Sequence, residues 1–131
     1  MKKIQIAVCA DKLIAESVIE GVHLFEEKTK IVVEIDCFSR REELLYGMRK
    51  KKYEVIMVAL FGALGMETVM GAREEDESAA IIWISDEEAF ALQSYRLRVT
   101  MFLVNPATSE QISDALNRCT AEFFSNKEGE R

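Results

Sequence analysis

The sequence is poor in residues that interrupt a fold. Its 131 residues include one proline, Pro106, and six scattered glycines, and no stretch rich in Pro, Gly and Ser divides the chain. The length fits one domain, and 49% hydrophobic residues can form a core without disulfides or metals. We therefore predict a single domain over residues 1–124, followed by a flexible polar tail over residues 125–131.

Long apolar runs are also absent. No run approaches the ~20 residues that a membrane-spanning helix needs. The run Ile4–Ala10 follows two lysines, as in a signal peptide, but it is short, contains Gln5 and ends at Asp11. A buried strand explains it better. We expect a cytoplasmic protein that does not contact a membrane.

Cysteines and excess positive charge are scarce too. The three cysteines, Cys9, Cys37 and Cys119, are odd in number and lack the spacing of a metal site, which predicts reduced core thiols in the cytoplasm. A disulfide between Cys9 and Cys37 is the alternative, because each ends a predicted strand. The net charge of −6 provides no basic stripe, so we expect no direct contact with nucleic acid.

The chain does contain an alternation of short apolar runs and helical patterns. Strands are predicted at Ile4–Cys9, Ile31–Cys37, Tyr53–Leu60, Ala79–Ile84 and Val99–Val104. Five strands alternating with five helices predict an α/β fold, with a doubly wound parallel sheet between two helical layers. The flavodoxin-like strand order 2-1-3-4-5 fits best, with the most apolar strand, Tyr53–Leu60, at the centre. Such a fold has its site at the carboxyl ends of strands 1 and 3.

Polar residues predict where the helices begin. Ser39 with Glu42 and Thr108 with Gln111 have the spacing of capping boxes. Asp86 is a candidate cap for a short helix that reaches Tyr95. The third helix, roughly 64–75, is the least secure, because it contains two glycines.

The strand ends carry a specific resemblance. The run IAVCADK resembles the opening of receiver domains attached to LytTR-type DNA-binding domains, in which an acidic pair occupies the positions of Ala10 and Asp11. The run YEVIMVALFGALGMETV resembles the receiver segment around the phosphoryl-acceptor aspartate, with Ala59 in its place. The run AAIIWISDEEAFALQSY has Ser85 at the Ser/Thr position. In MFLVNP, Asn105 stands at the lysine position and Phe102 at the aromatic switch position. The likeness to CheY-like response-regulator receivers covers residues 3–122.

The departures from this family bear directly on its chemistry. Receivers transfer a phosphoryl group to a carboxylate with the help of Mg²⁺, which needs oxygen ligands, and a lysine offsets the phosphoryl charge. Ala10, Ala59 and Asn105 replace three of those groups, and an alanine cannot act as the nucleophile. The resemblance therefore implies a degenerate, non-enzymatic site. Asp11 remains as a weak remnant of the metal site, so Mg²⁺ binding should be weak or absent.

Each remaining residue also has an ordinary interpretation. Asp11 can simply cap the first helix, and Ser85 can bond nearby backbone groups. Asn105 can stabilise the turn before the proline, and Phe102 can be a core residue rather than a switch. His23, off the apolar stripe of its helix, is best explained as solvated.

The resemblance implies a pseudo-receiver that acts in signal transduction or transcription regulation through protein–protein contact. Receivers commonly use the fourth helix, fifth strand and fifth helix to bind a protein partner or a second copy. The corresponding residues here are Gln93, Arg96, Arg98, Asp114, Asn117 and Arg118. Two alternatives remain. The crevice near Ala59 could sense a small molecule, or the chain could be the N-terminal regulatory part of a longer LytTR-type DNA-binding regulator.

Overall fold

The computed structural model describes the backbone of residues 2–129 and the side chains of residues 2–121. Five strands alternate with five helices along the chain. The strands are β1 Lys3–Ala10, β2 Val32–Phe38, β3 Val55–Ala59, β4 Ala80–Ser85 and β5 Met101–Val104. The helices are α1 Lys12–Thr29, α2 Arg41–Lys50, α3 Gly62–Glu75, α4 Ala91–Arg96, which a 3₁₀ turn at Glu88–Phe90 precedes, and α5 Ser109–Gly129.

The strands form one parallel sheet in the order β2-β1-β3-β4-β5. This confirms the predicted fold class and strand order. All five residues of β3 are buried, because this strand lies at the centre of the sheet with helices on both faces. The register places Ala10 opposite Ala59 and Ser85 opposite Val104, so the carboxyl ends of the strands meet at one edge.

Each face of the sheet has its own core. On one face, Ile6 and Val8 of β1 pack with α1 and α5 through residues such as Val22, Phe25 and Ile112. On the other face, residues of β3 and β4 pack with Leu44 of α2 and Val69 of α3. The alternation of side chains along each strand assigns successive residues to the two cores. Burial of these side chains is the main force that holds the three layers together.

Two predicted strands are longer than the observed ones. Tyr53 and Leu60 are buried but lie outside β3, and β5 begins at Met101 rather than at Val99. The apolar pattern reports burial, and residues that flank a strand can be buried without belonging to it.

Helix caps differ from prediction at two of three places. The pairing of Thr108 with Gln111 is confirmed by reciprocal bonds of 2.9 and 3.1 Å. Ser39 does not form a capping box, because its backbone N and its hydroxyl both donate to Glu43 Oε1. Asp86 is not a cap either, since the carboxylate of Glu87 accepts the bond from Ala89 N at the 3₁₀ turn.

Helix α3 forms despite its glycines, and two of them are needed for its geometry. Gly62 begins the helix with a φ of 65°, a left-handed conformation that favours glycine. At Gly65 a Cβ atom would lie 1.8 Å from the carbonyl oxygen of Leu60. A glycine at this position lets the helix pack against the end of β3.

The cysteine prediction is partly wrong. Cys9 and Cys119 are buried, but Cys37 is exposed, so it is not a core thiol. Within the described chain no disulfide joins them. The register pairs Cys37 with Val8 and Cys9 with Phe38. Cys37 and Cys9 therefore project from opposite faces of the sheet, which prevents a bridge between them.

The last helix is long. Helix α5 continues through Gly129, past residue 125, where we predicted that a flexible tail begins. The side chains of residues 122–129 lie outside the described residues. Among the described residues, no helix has the length and apolar content to cross a membrane.

Candidate functional site

Two alanines occupy the centre of the predicted site. Ala10 ends β1 and Ala59 ends β3, and the two residues are direct neighbours in the sheet. They are 3% and 1% exposed and belong to the core that faces α1 and α5. Such buried methyl groups offer no polar atom to a ligand. They also leave almost no accessible surface for the small-molecule crevice that we considered near Ala59.

Asp11 is the carboxylate that remains beside this pair. It precedes α1, and its Oδ1 accepts a 3.0 Å hydrogen bond from the backbone N of Ile14. The capping interpretation is therefore confirmed. One carboxylate oxygen of Asp11 thus accepts the hydrogen bond from the helix. The rest of the side chain is exposed to solvent.

These residues do not fit a magnesium ion. Mg²⁺ favours an octahedral set of oxygens that includes carboxylates, whereas here two of the three expected acids are buried methyl groups. No group of three or more His, Cys, Asp or Glu side chains is arranged to hold a metal within the described residues. The methyl side chain of Ala59 has no atom that could accept a phosphoryl group.

The neighbouring thiol does not replace the missing nucleophile. Cys9 lies one residue before Ala10 and is fully buried. Burial, and after it the charges of Glu43 and Glu42, raise the pKa of this thiol to about 12. The reactive form of cysteine is the thiolate, so Cys9 is inert at neutral pH.

Ser85 and Asn105 lie on adjacent strand ends. Ser85 is fully buried, and its hydroxyl accepts a 3.0 Å bond from the backbone N of Glu87. The backbone N of Asn105 donates to the carbonyl oxygen of Ser85 at 2.8 Å, and a cis peptide bond joins Asn105 to Pro106. The Ser85 hydroxyl thus holds the local backbone, as its ordinary interpretation predicts. The bond at Asn105 uses only its backbone N, so the turn-stabilising role of the Asn105 side chain stays a prediction.

A further carboxylate connects two loops at this edge. Asp86 Oδ1 accepts a 2.9 Å bond from the backbone N of Gly62, which ties the loop after β4 to the first residue of α3. The sequence predicted Asp86 as a helix cap and did not indicate this role. Gly62, which donates this bond, has a left-handed backbone conformation that the structure shows but the sequence does not.

Phe102 belongs to an aromatic cluster. Its ring meets Trp83 edge-on, with centroids 5.2 Å apart, and Trp83 stacks on Phe90 at 5.6 Å. Trp83 is fully buried, and Phe102 and Phe90 are partly buried. Contacts of this kind add to simple area burial. The cluster connects β4 and β5 to the 3₁₀ turn before α4.

Four of the six residues predicted for the interaction face line two surface grooves. One surface groove is lined by Arg98 and Arg118 together with Tyr95, and a second by Asp114, Asn117 and Arg118. These residues come from α4, from the turn between α4 and β5, and from α5. Gln93 and Arg96 lie on α4 but line neither groove, and Gln93 is partly buried.

Exposed apolar side chains on α4 and β5 were not predicted. Tyr95 is 84% exposed, Leu92 55% and Val104 42%. Large apolar side chains at such exposures mark interaction surfaces when they lie together. The sequence carries no signal of this exposure, because helical periodicity assigns apolar residues such as Leu92 and Tyr95 to a buried face.

Comparison with known proteins supports the fold. No protein-family model and no curated protein matches the chain. The chain is similar to the solved REC domain of AraT, a response regulator from Geobacillus stearothermophilus, at 20% identity over 95% of this chain and 98% of that one, with a TM-score of 0.76.

Two other solved structures agree. The response regulatory domain of mrkE from Klebsiella pneumoniae has 13% identity over 93% of this chain and 99% of its own, with a TM-score of 0.77. The chemotaxis response regulator CheY4 of Vibrio cholerae has 22% identity over 91% and 98%, with a TM-score of 0.65. The chain therefore has the CheY-like receiver fold of response regulators.

Proposed function

We propose that this protein is a pseudo-receiver, a signalling domain that acts by protein–protein contact without phosphoryl transfer. The observation that supports this most is the buried pair Ala10 and Ala59 at the strand ends. In the receiver family that this chain resembles, a carboxylate at the position of Ala59 accepts the phosphoryl group. A methyl group there retains the scaffold and removes the chemistry.

The surface of α4, β5 and α5 is the proposed contact site. It presents the exposed apolar side chains of Leu92 and Tyr95. Three arginines of the predicted interaction face, Arg96, Arg98 and Arg118, are also exposed there. Aromatic residues and arginine are enriched at protein interfaces. A second copy of the chain or a protein partner would bury this apolar surface.

The wider setting follows from the same resemblance. A receiver of the LytTR type would act in transcription regulation in the cytoplasm, through other proteins or through a further domain. The acidic balance of the chain disfavours direct contact with nucleic acid.

Sedimentation tests whether the contact depends on phosphorylation. We expect the mass distribution of the protein to be the same with and without a small phosphodonor and Mg²⁺, because Ala59 cannot accept the group. A donor-dependent change in mass would contradict the proposal.

A matched pair of variants locates the surface. Tyr95→Asp places a charge at the centre of the proposed face and should abolish self-association or partner binding. Tyr46→Asp is the control, since Tyr46 is also an exposed tyrosine, 59% exposed, but lies on α2. Equal loss of association in both variants would argue against this face.

A further inference from the structure

Helix α4 exposes its apolar side and buries its polar side. Leu92 and Tyr95 are 55% and 84% exposed, whereas Ser94 is buried and Gln93 is partly buried. At about 100° per residue, the first pair lies on the opposite side of the helix from the second pair. The side-chain oxygen of Gln93 is buried without a hydrogen-bond partner among the described residues. A protein that covers the outer side of α4 would remove its apolar surface from water.

Opposite charges stand at the two ends of this outer side. Glu88 precedes Leu92 by four residues, and Arg96 follows Leu92 by four. Residues at this spacing lie close to one side of a helix, here α4 and the 3₁₀ turn that precedes it. Both charged side chains are exposed. The outer side therefore has an acid at one end, apolar side chains in the middle and a base at the other end.

Glu88 is the acid of the turn that remains available for a contact. The carboxylate of Asp86 accepts the bond from Gly62 N, and the carboxylate of Glu87 accepts the bond from Ala89 N. Within the part of the chain whose side chains are described, Glu88 has neither a hydrogen bond nor an ion pair. The same holds for the guanidinium of Arg96.

This pattern is complementary to its own reverse. When a twofold axis passes through Leu92 and two α4 helices lie antiparallel, each Glu88 faces Arg96 of the other copy. Tyr95 then faces Ala89, a small exposed residue three positions before Leu92, so that a large side chain meets a small one. We propose that the outer side of α4 binds a second copy of this chain in this register. The proposal rests on the proposed function and names its partner.

The contact should be weak. It is built on one short helix, and exposed ion pairs each contribute little, so it is smaller than a standard protein interface. We expect a Kd on the order of 0.1 mM. Because the axis uses every side chain twice, a single substitution changes two contacts.

Charge reversal tests the ion pairs by sedimentation equilibrium of the full chain. Glu88→Arg places two cations opposite each other at both ends, and Arg96→Glu places two carboxylates there. Each variant alone should associate about tenfold or more weakly than the wild type. An equimolar mixture of the two variants restores opposite charges at both ends, so it should associate within about threefold of the wild type. Glu74→Arg is the control, because it changes the net charge equally at an exposed position of α3.

A cysteine on the axis tests the register. Cys37→Ser provides the background, since it removes the exposed native thiol. In that background Leu92→Cys should give a disulfide-linked dimer under mild oxidation, because a residue on a twofold axis meets itself. Leu64→Cys is the control, since Leu64 is similarly exposed, at 50%, but lies on α3. It should remain monomeric under the same conditions.

Three results would overturn the proposal. They are a wild type that stays monomeric at about 1 mM, a mixture of the charge variants that associates no better than either variant alone, and equal crosslinking of the two cysteine variants. None of them would contradict the proposed function, which needs only a protein partner at this surface. That function would instead fail if a phosphodonor changed the mass of the wild type.

Discussion

The substitution Ala59→Asp, which restores the missing acceptor, should destabilise the protein without restoring its chemistry. Ala59 is 1% exposed and packs in the core that faces α1 and α5. Burial can raise the pKa of a carboxyl group by up to 3 to 5 units. At pH 7, keeping such a group neutral about three units above its ordinary pKa costs about 4 kcal/mol. That is a large share of the 5 to 15 kcal/mol that typically stabilises a domain.

The cost should depend on pH in a defined direction. A carboxyl group whose pKa is raised in the folded state binds its proton more tightly there than in the unfolded chain. The penalty is therefore absent below the ordinary carboxyl pKa, about 4, and grows as the pH rises towards the pKa of the folded state. Ala59→Asn adds a side chain of nearly the same size without a charge, so its penalty should not change with pH.

Urea unfolding of the wild type and both variants at acid and neutral pH measures this effect. We expect the Asp and Asn variants to have similar stability near pH 4 and the Asp variant to be less stable at pH 7. If Ala59→Asp unfolds at the same urea concentration as the wild type at neutral pH, the position is better solvated than its burial indicates, and the reasoning is wrong.

Magnesium should not rescue the single variant. It would add one carboxylate to Asp11, whose Oδ1 already caps α1, and residues that act as a unit are strongly non-additive. The triple variant Ala10→Asp, Ala59→Asp and Asn105→Lys should bind Mg²⁺ and take up phosphate from a small donor, yet be less stable without the metal because its carboxylates repel. Phosphorylation of the single variant as readily as the triple one would refute a site lost at several positions.

Three further predictions concern stability and reactivity. The Tyr53 hydroxyl bonds Asp36 at 2.6 Å and lowers the pKa of that carboxyl. Tyr53→Phe should therefore be less stable than the wild type at neutral pH, and thermal unfolding should show the difference shrinking as the pH falls through the carboxyl range. Cys37 is the exposed thiol of the three, so a thiol reagent should modify one cysteine in the native protein; three would contradict the fold. Gly65→Ala would place a Cβ atom 1.8 Å from the Leu60 carbonyl oxygen and should cost about 3 kcal/mol or more in urea unfolding, whereas a loss under 1 kcal/mol would show that the helix can shift.

The strand order was predictable because it depends on local apolar runs and on the general rules of parallel sheets. The neighbouring positions of Ala10 and Ala59 followed from that order. The contact of Asp86 with Gly62 did not, because it joins residues 24 positions apart through one hydrogen bond. At Ser39 the capping pattern was present, but the carboxylate that binds lies one residue further along, at Glu43.

Burial of charged residues is the second feature that the sequence concealed. Arg73 is one of several charged residues at the end of α3, and nothing nearby marks it as buried. Its acceptors are carbonyl oxygens of residues that precede and follow β4 in the chain, and carbonyl groups occur at every position of every sequence.

The exposure of apolar residues on α4 was also hidden. Tyr95 and Leu92 were predicted only as parts of a helix, because periodicity assigns apolar residues to a core and cannot show that this helix is too short to bury them.

The aromatic cluster gives the protein an optical probe of its own. Trp83 is the one tryptophan in the sequence, and it is fully buried between Phe90 and Phe102, with no hydrogen-bond partner for its indole nitrogen among the described residues. Its fluorescence should therefore have the short emission wavelength of an indole in an apolar environment. A protein that binds to α4 and displaces the 3₁₀ turn would alter the stacking on Phe90 and shift that emission. Partner binding could thus be followed in unlabelled protein at micromolar concentration.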